Sequence, residues 1–220
     1  PYLGWGAGFL DFDNSGWLGI FAVHGHVYPQ VNRSSSGDTF GQPMLLYANL
    51  HDGTFENVSR QAGLDSQPLK SRRGVAFGDI FNDGNIDMAI VNLGQAPSLL
   101  RNTNANGNHR MLIRLVGTKS NRAAIGARVT LQANGITQVA EVRSGSSYLS
   151  QNDLRLHFGL GAATQAAELK IRWPNGNTES YENLAADAVY TIVEGSGVRN
   201  AKALPQPKGS HRAESAPHSP

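Results

Sequence analysis

Asp79, Asp83 and Asp87 take the first, fifth and ninth places of the run Asp79-Ile80-Phe81-Asn82-Asp83-Gly84-Asn85-Ile86-Asp87, with glycine at the sixth. Hard oxygen donors spaced along a tight turn are the chemistry of a calcium loop. The cation takes six to eight oxygens, and glycine lets the chain turn so that the carbonyl of the seventh residue, here Asn85, joins the set. Phe81 at the third place brings no oxygen. A second loop, 68 residues earlier, fails differently: Asp11 and Asp13 fill places one and three, Ser15 is a weaker donor at five, and Gly19 leaves nine empty. An EF-hand would need a glutamate at place twelve and flanking helices, but Ala22 and Ile90 stand there and the chain runs on as strands. A structural calcium ion is thus one expectation, held by Asp79, Asp83, Asn85 and Asp87 and, with a poorer set, by Asp11, Asp13 and Ser15. The competing reading is that Asp, Asn and Gly simply build Asx-type turns between strands.

The elements carrying these loops form an internal repeat. Residues 6–23, GAGFLDFDNSGWLGIFAV, and 74–91, GVAFGDIFNDGNIDMAIV, align without a gap. Downstream, LLYAN from Leu45 answers LLRN from Leu99, so the first copy carries a 14-residue insertion within residues 26–42. Without it the unit is 54 residues, close to the roughly 40 to 50 of a propeller blade. Short β-rich runs and the turn Asp52-Gly53 suit such a blade. Two blades alone would leave open sheet edges, which propellers avoid by closing a ring, so further blades are expected in a longer chain.

From Asn108 the pattern changes. Leu154, Leu156 and Phe158 alternate with Arg155 and His157, and Leu169, Ile171 and Trp173 with Lys170 and Arg172, the period of a half-buried strand. Asn134-Gly135 and Pro174-Asn175-Gly176 mark hairpin turns. The expected organisation is all-β: a partial propeller over 1–107, an antiparallel β-sandwich over 108–195 and a disordered tail over 196–220, where four prolines and few apolar residues cannot support a core.

Charge is uneven: residues 1–100 hold 9 acids against 5 bases, and 101–195 hold 7 against 10. The bases are spread singly along strands with no aromatic stripe, which argues against nucleic acid. No segment reaches the roughly 18 apolar residues of a membrane span. The absence of cysteine excludes disulfides and thiolate chemistry.

His24 and His26 could form half of a transition-metal site but lack a third ligand nearby, and His157 on a charged strand face reads as solvated. Gly159-Leu160-Gly161 resembles a dinucleotide fingerprint, yet the AATQAAE that follows is too short for the required helix. The polar run Ser144–Asp153 could hydrogen-bond a sugar or a peptide, and equally could satisfy its own backbone. No GxSxG elbow is present.

The acidic repeats, with Phe77-Gly78 followed by Gly94-Gln95-Ala96-Pro97, resemble FG-GAP or VCBS repeats. The blocks IGARVTLQANG, EVRSGSSYLSQNDLRLHFGLG and IRWPNG resemble the ASPIC/UnbV domain, and the order of the two is similar to bacterial members of the cartilage acidic protein family. That resemblance implies an extracytoplasmic, secreted or surface-bound, non-enzymatic binding or adhesion module, with calcium-stabilised loops and an unidentified protein or glycan partner. Two alternatives stand beside it. One is a carbohydrate-active enzyme or its accessory, for which Glu141, Asp153 and Glu168 are the available acids and nothing in their spacing pairs them. The other is a purely structural cap of a larger secreted protein.

Overall fold

A computed structural model describes residues 2–33, 35 and 37–205. It is all-β, with four sheets in two halves. In the first half, β1 (Gly4–Leu10), β2 (Gly19–Gly25), β3 (Gly41–Asn49) and β4 (Phe55–Asn57) form one antiparallel meander, and β5 (Arg72–Gly78), β6 (Asp87–Asn92) and β7 (Gln95–Leu100) form another. The two sheets pack face to face around Phe21, Val23, Leu46, Val75, Phe77 and Ile90. Gly6 and Gly8 permit this close approach: a Cβ on Gly6 would lie 2.8 Å from Arg73 O and Val75 N, and one on Gly8 2.5 Å from the Phe77 ring.

Strand pairing refines the repeat. Leu46 pairs with Phe21, whereas Leu99 pairs with Ala89, the residue 68 places after Phe21. The structural offset at this landmark is therefore 53 (99 − 46), one fewer than the sequence alignment suggests. The repeat also explains which faces are covered. Phe21, Val23 and Leu46 of the first sheet are buried, while their counterparts Ala89, Val91 and Leu99 lie exposed on the outer face of the second. Conversely, Val75 and Phe77 are buried in the second sheet, and their counterparts Ala7 and Phe9 are exposed on the first, Phe9 by 65% and Val91 by 57%.

The second half is a sandwich of two four-stranded sheets. One has the order β10 (Ile136–Glu141), β9 (Arg128–Ala133), β12 (Gln165–Arg172), β13 (Thr178–Ala185), and the other β11 (Leu156–Gly161), β8 (His109–Val116), β14 (Ala188–Val193), β15 (Gly197–Ala203). Apolar residues alternating along each strand meet in one core containing Ile113, Val129, Leu131, Phe158, Leu169, Ile171, Trp173 and Ile192. Two expectations are corrected here. The sandwich is not wholly antiparallel, because β8 and β14 run parallel from Met111↔Ala188 to Val116↔Val193. Nor does order end at 195: residues 197–203 form β15, which pairs with β14 and shields it as an edge strand. Its side chains are largely exposed, so apolar content was the wrong guide and backbone pairing decides. The rest of the anticipated tail, 206–220, lies outside the described residues.

Candidate functional site

Both acidic loops fold the same way and for the same reason. Asn14 and Asn82 adopt left-handed backbone with φ of 58° and 54°, and Gly16 and Gly84 follow at 91° and 88°. Asparagine and glycine tolerate that region, which a β-branched residue would not. The left-handed step turns successive amides inward onto the first aspartate. Asp11 Oδ1 accepts from Ser15 N at 3.0 Å and Oδ2 from Gly16 N at 2.7 Å, and Asp79 accepts from Asp83 N and Gly84 N at 3.0 Å each. The fifth place repeats the pattern two residues on, with Ser15 Oγ accepting from Trp17 N and Asp83 Oδ1 from Asn85 N. The loops part at the ninth place. Asp87 accepts from Ile80 N and Asn102 N at 2.9 Å each, whereas a Cβ on Gly19 would meet Tyr47 O at 2.6 Å and the Phe12 ring at 3.0 Å. Phe12 fills the space that a ninth-place carboxylate would need.

These bonds bear on calcium. Both oxygens of Asp11, Asp79 and Asp87 already accept backbone amides, and Asp83 Oδ2 receives Arg101 Nη2 at 2.9 Å. The Arg155 guanidinium donates to Asp79 O at 2.6 Å and Asn82 Oδ1 at 2.9 Å, bringing positive charge to the loop itself. Asn85 turns its side chain to Asn14, whose Nδ2 donates to Asn85 Oδ1 at 2.8 Å. Among the described residues no three His, Cys, Asp or Glu side chains converge as a metal cage. With Phe81 bringing no oxygen at the third place and two guanidiniums beside the loop, the donor set as folded suits a pair of Asx-type turns better than a resident calcium ion.

The turns point into the seam between the two halves. Gly159 of β11 lies flat against the first: a Cβ there would overlap Asp11 Oδ2 and come within 2.5 Å of Asn14 C. Gly161 N donates to Asn14 O at 2.9 Å, so the turn closes the free edge of β11. His157 spans both turns, its Nε2 lying 3.0 Å from Asn14 Oδ1 and 3.0 Å from Gly84 O. Both partners are acceptors, because Asn14 Nδ2 is engaged with Asn85, so Nε2 carries the proton and donates. The expectation that His157 is solvated is corrected: its strand lies on the seam. Arg110, also buried, donates to Asp83 O, to Pro205 O at 2.7 Å and to Asp187 Oδ1 at 3.4 Å. Asp187 is further held by His109 Nδ1 at 2.7 Å.

Burial drives His157 down to about 4, with the nearby Arg110 charge adding to the effect. Asp11 moves oppositely: burial first, then its neighbour Asp13, push its carboxyl up to about 7. Between pH 6.5 and 4 the unfolded chain holds a proton on histidine that folded His157 lacks, so this residue removes stability as pH falls. From about 7 down to 3.8 folded Asp11 holds a proton that the unfolded chain lacks, so it adds stability as pH falls. The two oppose each other across their shared window. In His157→Gln, stability relative to wild type is therefore expected to rise on acidification from pH 6.5 to 4, by about 2 kcal/mol after allowing for partial exposure of the ring. Urea midpoints of the two chains across that range check it.

Other anticipated residues lie apart. His24 Nδ1 faces Pro43 O at 2.9 Å, while His26 Nδ1 accepts from Tyr28 N, so the two do not converge. The 144–153 run packs on the first half: Ser147 Oγ accepts from Ala7 N, Asn152 Oδ1 from Phe77 N, and Tyr148 stacks edge-on against Trp5 at 4.9 Å. Arg72, missed in the sequence, is buried and donates to Gln42 O at 2.6 Å and Pro68 O at 2.7 Å, tying the two sheets of the first half together. Glu194, also missed, accepts three successive backbone amides from Thr118, Lys119 and Ser120. No spacing rule marks these residues, since Arg72 reaches Gln42 O from 30 residues away and Glu194 the amides of 118–120 from 74 or more.

With this geometry in place, comparison with known proteins is informative for the second half. Residues 117–199 match the family model "ASPIC and UnbV". The ASPIC/UnbV region thus starts at the turn after β8 and runs into β15, and the seam residue His157 lies inside it. The chain is also similar to cartilage acidic protein 1 of Xenopus tropicalis, 33% identical over 87 residues. That alignment takes in 38% of this chain and 13% of the relative, so the chain spans only a small part of the length of that protein.

Proposed function

We propose that the chain is a non-catalytic, extracytoplasmic binding module in which the repeated sheets are blades of a larger propeller of FG-GAP or VCBS type, clamped to the ASPIC/UnbV sandwich by their acidic turns. The observation that carries this reading is the direction of those turns: their carboxylates are engaged by backbone amides and their outer surfaces by His157, Arg155 and Arg110. Groups committed in this way act as a joint.

The blade reading is supported by the exposed faces. Inside the molecule Phe21, Val23 and Leu46 of one copy pack against Val75, Phe77 and Ile90 of the next. The outer faces present the counterparts of these same two surfaces: that of the second sheet is exposed at Ala89, Val91 and Leu99, and that of the first at Ala7 and Phe9, which also line a cavity shared with Val139 and Arg143 of the sandwich. Exposed apolar faces of that sort mark interaction sites. The 220-residue chain alone is therefore expected to self-associate reversibly, and Val91→Asp with Leu99→Asp to render it monomeric. Sedimentation velocity over a concentration series checks this outcome.

The carbohydrate-active alternative gains little from geometry. Glu141 and Glu168 lie two strands and four residues apart across β10, β9 and β12, roughly 16 Å at ordinary sheet spacings. A glycosidase pair stands about 5 to 9.5 Å apart. Asp153 is engaged by Arg155 at 2.6 Å. Incubation with a polysaccharide panel, followed by calorimetric titration with the same glycans and candidate surface proteins, tests the proposal. Saturable binding without turnover is expected, turnover would overturn it, and neither binding nor turnover would favour the structural-cap alternative.

A further inference from the structure

The ends of β8 and β11 and the turn that follows β8 surround an open cavity of about 580 Å³ on the sandwich, linked to the second acidic turn through Arg155. Strand pairing builds it. Leu156 pairs with Ile113, and continuing that antiparallel register sets Arg155 beside Arg114. Arg122 closes the tight turn after β8, its carbonyl accepting from Gly117 N at 3.2 Å. Three arginines from separate segments thus line one concavity, with Leu154 and Val116 as apolar wall and Asp153 as the lining acid.

The three differ in how they are held. Arg155 is fixed by Asp153, Asp79 O and Asn82 Oδ1. The side chains of Arg114 and Arg122 are exposed and have no hydrogen bond or ion pair among the described residues. The carboxylates within reach are already committed: Asp153 to Arg155, and Glu194 to the amides of 118–120, to Ser120 Oγ and to Asn175 Nδ2 at 2.5 Å. On β14, Thr191 faces Arg114 and is neutral. Three guanidiniums against one lining aspartate leave two positive charges without a counterpart. Guanidinium forks favour oxyanions that accept two parallel N–H bonds, and a concave, partly apolar wall adds room for the group bearing the anion.

We infer that this cavity is a binding site for a dianionic oxyanion, inorganic phosphate or a phosphate monoester, gripped by Arg114 and Arg122 with Arg155 as the preorganised third cation. Glu194 contributes indirectly by stiffening the turn that presents Arg122.

Isothermal titration calorimetry on the whole chain at low ionic strength, with inorganic phosphate and with a hexose phosphate, tests the inference. Saturable binding is expected, weakened at least tenfold in Arg114→Gln/Arg122→Gln and weakened by added sodium chloride, as a partly exposed charge site requires. Arg114→Lys/Arg122→Lys keeps charge but not the fork and is expected to lie between; Arg60→Gln, on the first half, is expected to bind as wild type. Tighter binding of the hexose phosphate assigns the site to the ester, and equal affinity assigns it to the free anion. Circular dichroism verifies folding of each variant, all at exposed positions. Absence of saturation into tens of millimolar phosphate, or unchanged affinity in the Gln double variant, overturns the inference.

Discussion

Glu194→Ala is expected to lower stability by about 3 to 5 kcal/mol, enough to bring Tm down by roughly 10 °C in a chain of this size. The reason is the number of donors that one carboxylate satisfies in a site only 3% exposed. Oε2 accepts from Thr118 N and Lys119 N at 2.9 Å and Ser120 N at 2.8 Å, while Oε1 takes Ser120 Oγ at 3.1 Å and Asn175 Nδ2 at 2.5 Å. Alanine removes at once the acceptor that these part-buried donors share, and an orphaned donor loses more than its bond contributed. Burial by itself would raise the carboxyl, but the three amides outweigh it and hold Glu194 at about 2. A lowered folded value means stability present above the unfolded 4.5 and lost as pH falls from there toward 2. Wild type is therefore expected to lose stability over that interval more steeply than Glu194→Ala. Thermal melts of both chains between pH 5 and 3 read this out, and parallel curves would show that the carboxylate is not the group responsible.

Gly159→Val is expected to open the seam, at a cost of about 3 kcal/mol or more. A side chain there strikes the Asp11 carboxylate and the Asn14 backbone, neither of which can yield without breaking the turn. The loss extends beyond the clash, because His157 on Asn14 Oδ1 and Gly161 N on Asn14 O are set by the same approach. The sandwich core is left intact, so hydrogen exchange should accelerate at residues 11–16 and 157–161 while Trp173 and its neighbours stay protected. Uniform acceleration, or none, would contradict a local joint.

Much of the architecture was legible in the sequence because it depends on local rules. Period-two alternation placed β11 and β12, the Asn134-Gly135 turn placed β9 and β10, and the 68-residue repeat aligned two loops whose backbone angles agree within a few degrees. Legibility failed where a strand is recruited by its backbone: β15 has an exposed sequence and exists because β14 offers it a partner. The candidate site was half legible. The Asp-Asn-Gly pattern identified a turn but could not tell whether its oxygens face an ion or the amides of the same turn. That choice is set by Phe12 occupying the place beside Gly19, by Arg110 reaching Asp83 from 27 residues away, and by Arg155 and His157 arriving from more than 70 residues away. Glycine at 159 looked like part of a nucleotide fingerprint, whereas its absent Cβ is what lets the first turn dock.

The central claim is that two Asx-type turns, without metal, lock the repeat sheets to the ASPIC/UnbV sandwich as one cooperative body. The direct test is equilibrium urea unfolding in a calcium chelator, read by tryptophan fluorescence in two single-tryptophan chains, one retaining Trp5 in the repeat half and the other Trp173 in the sandwich core. The account predicts coincident transitions that millimolar calcium leaves in place. Transitions that separate in chelator, with the Trp5 signal lost first and brought back into line by calcium, would contradict it.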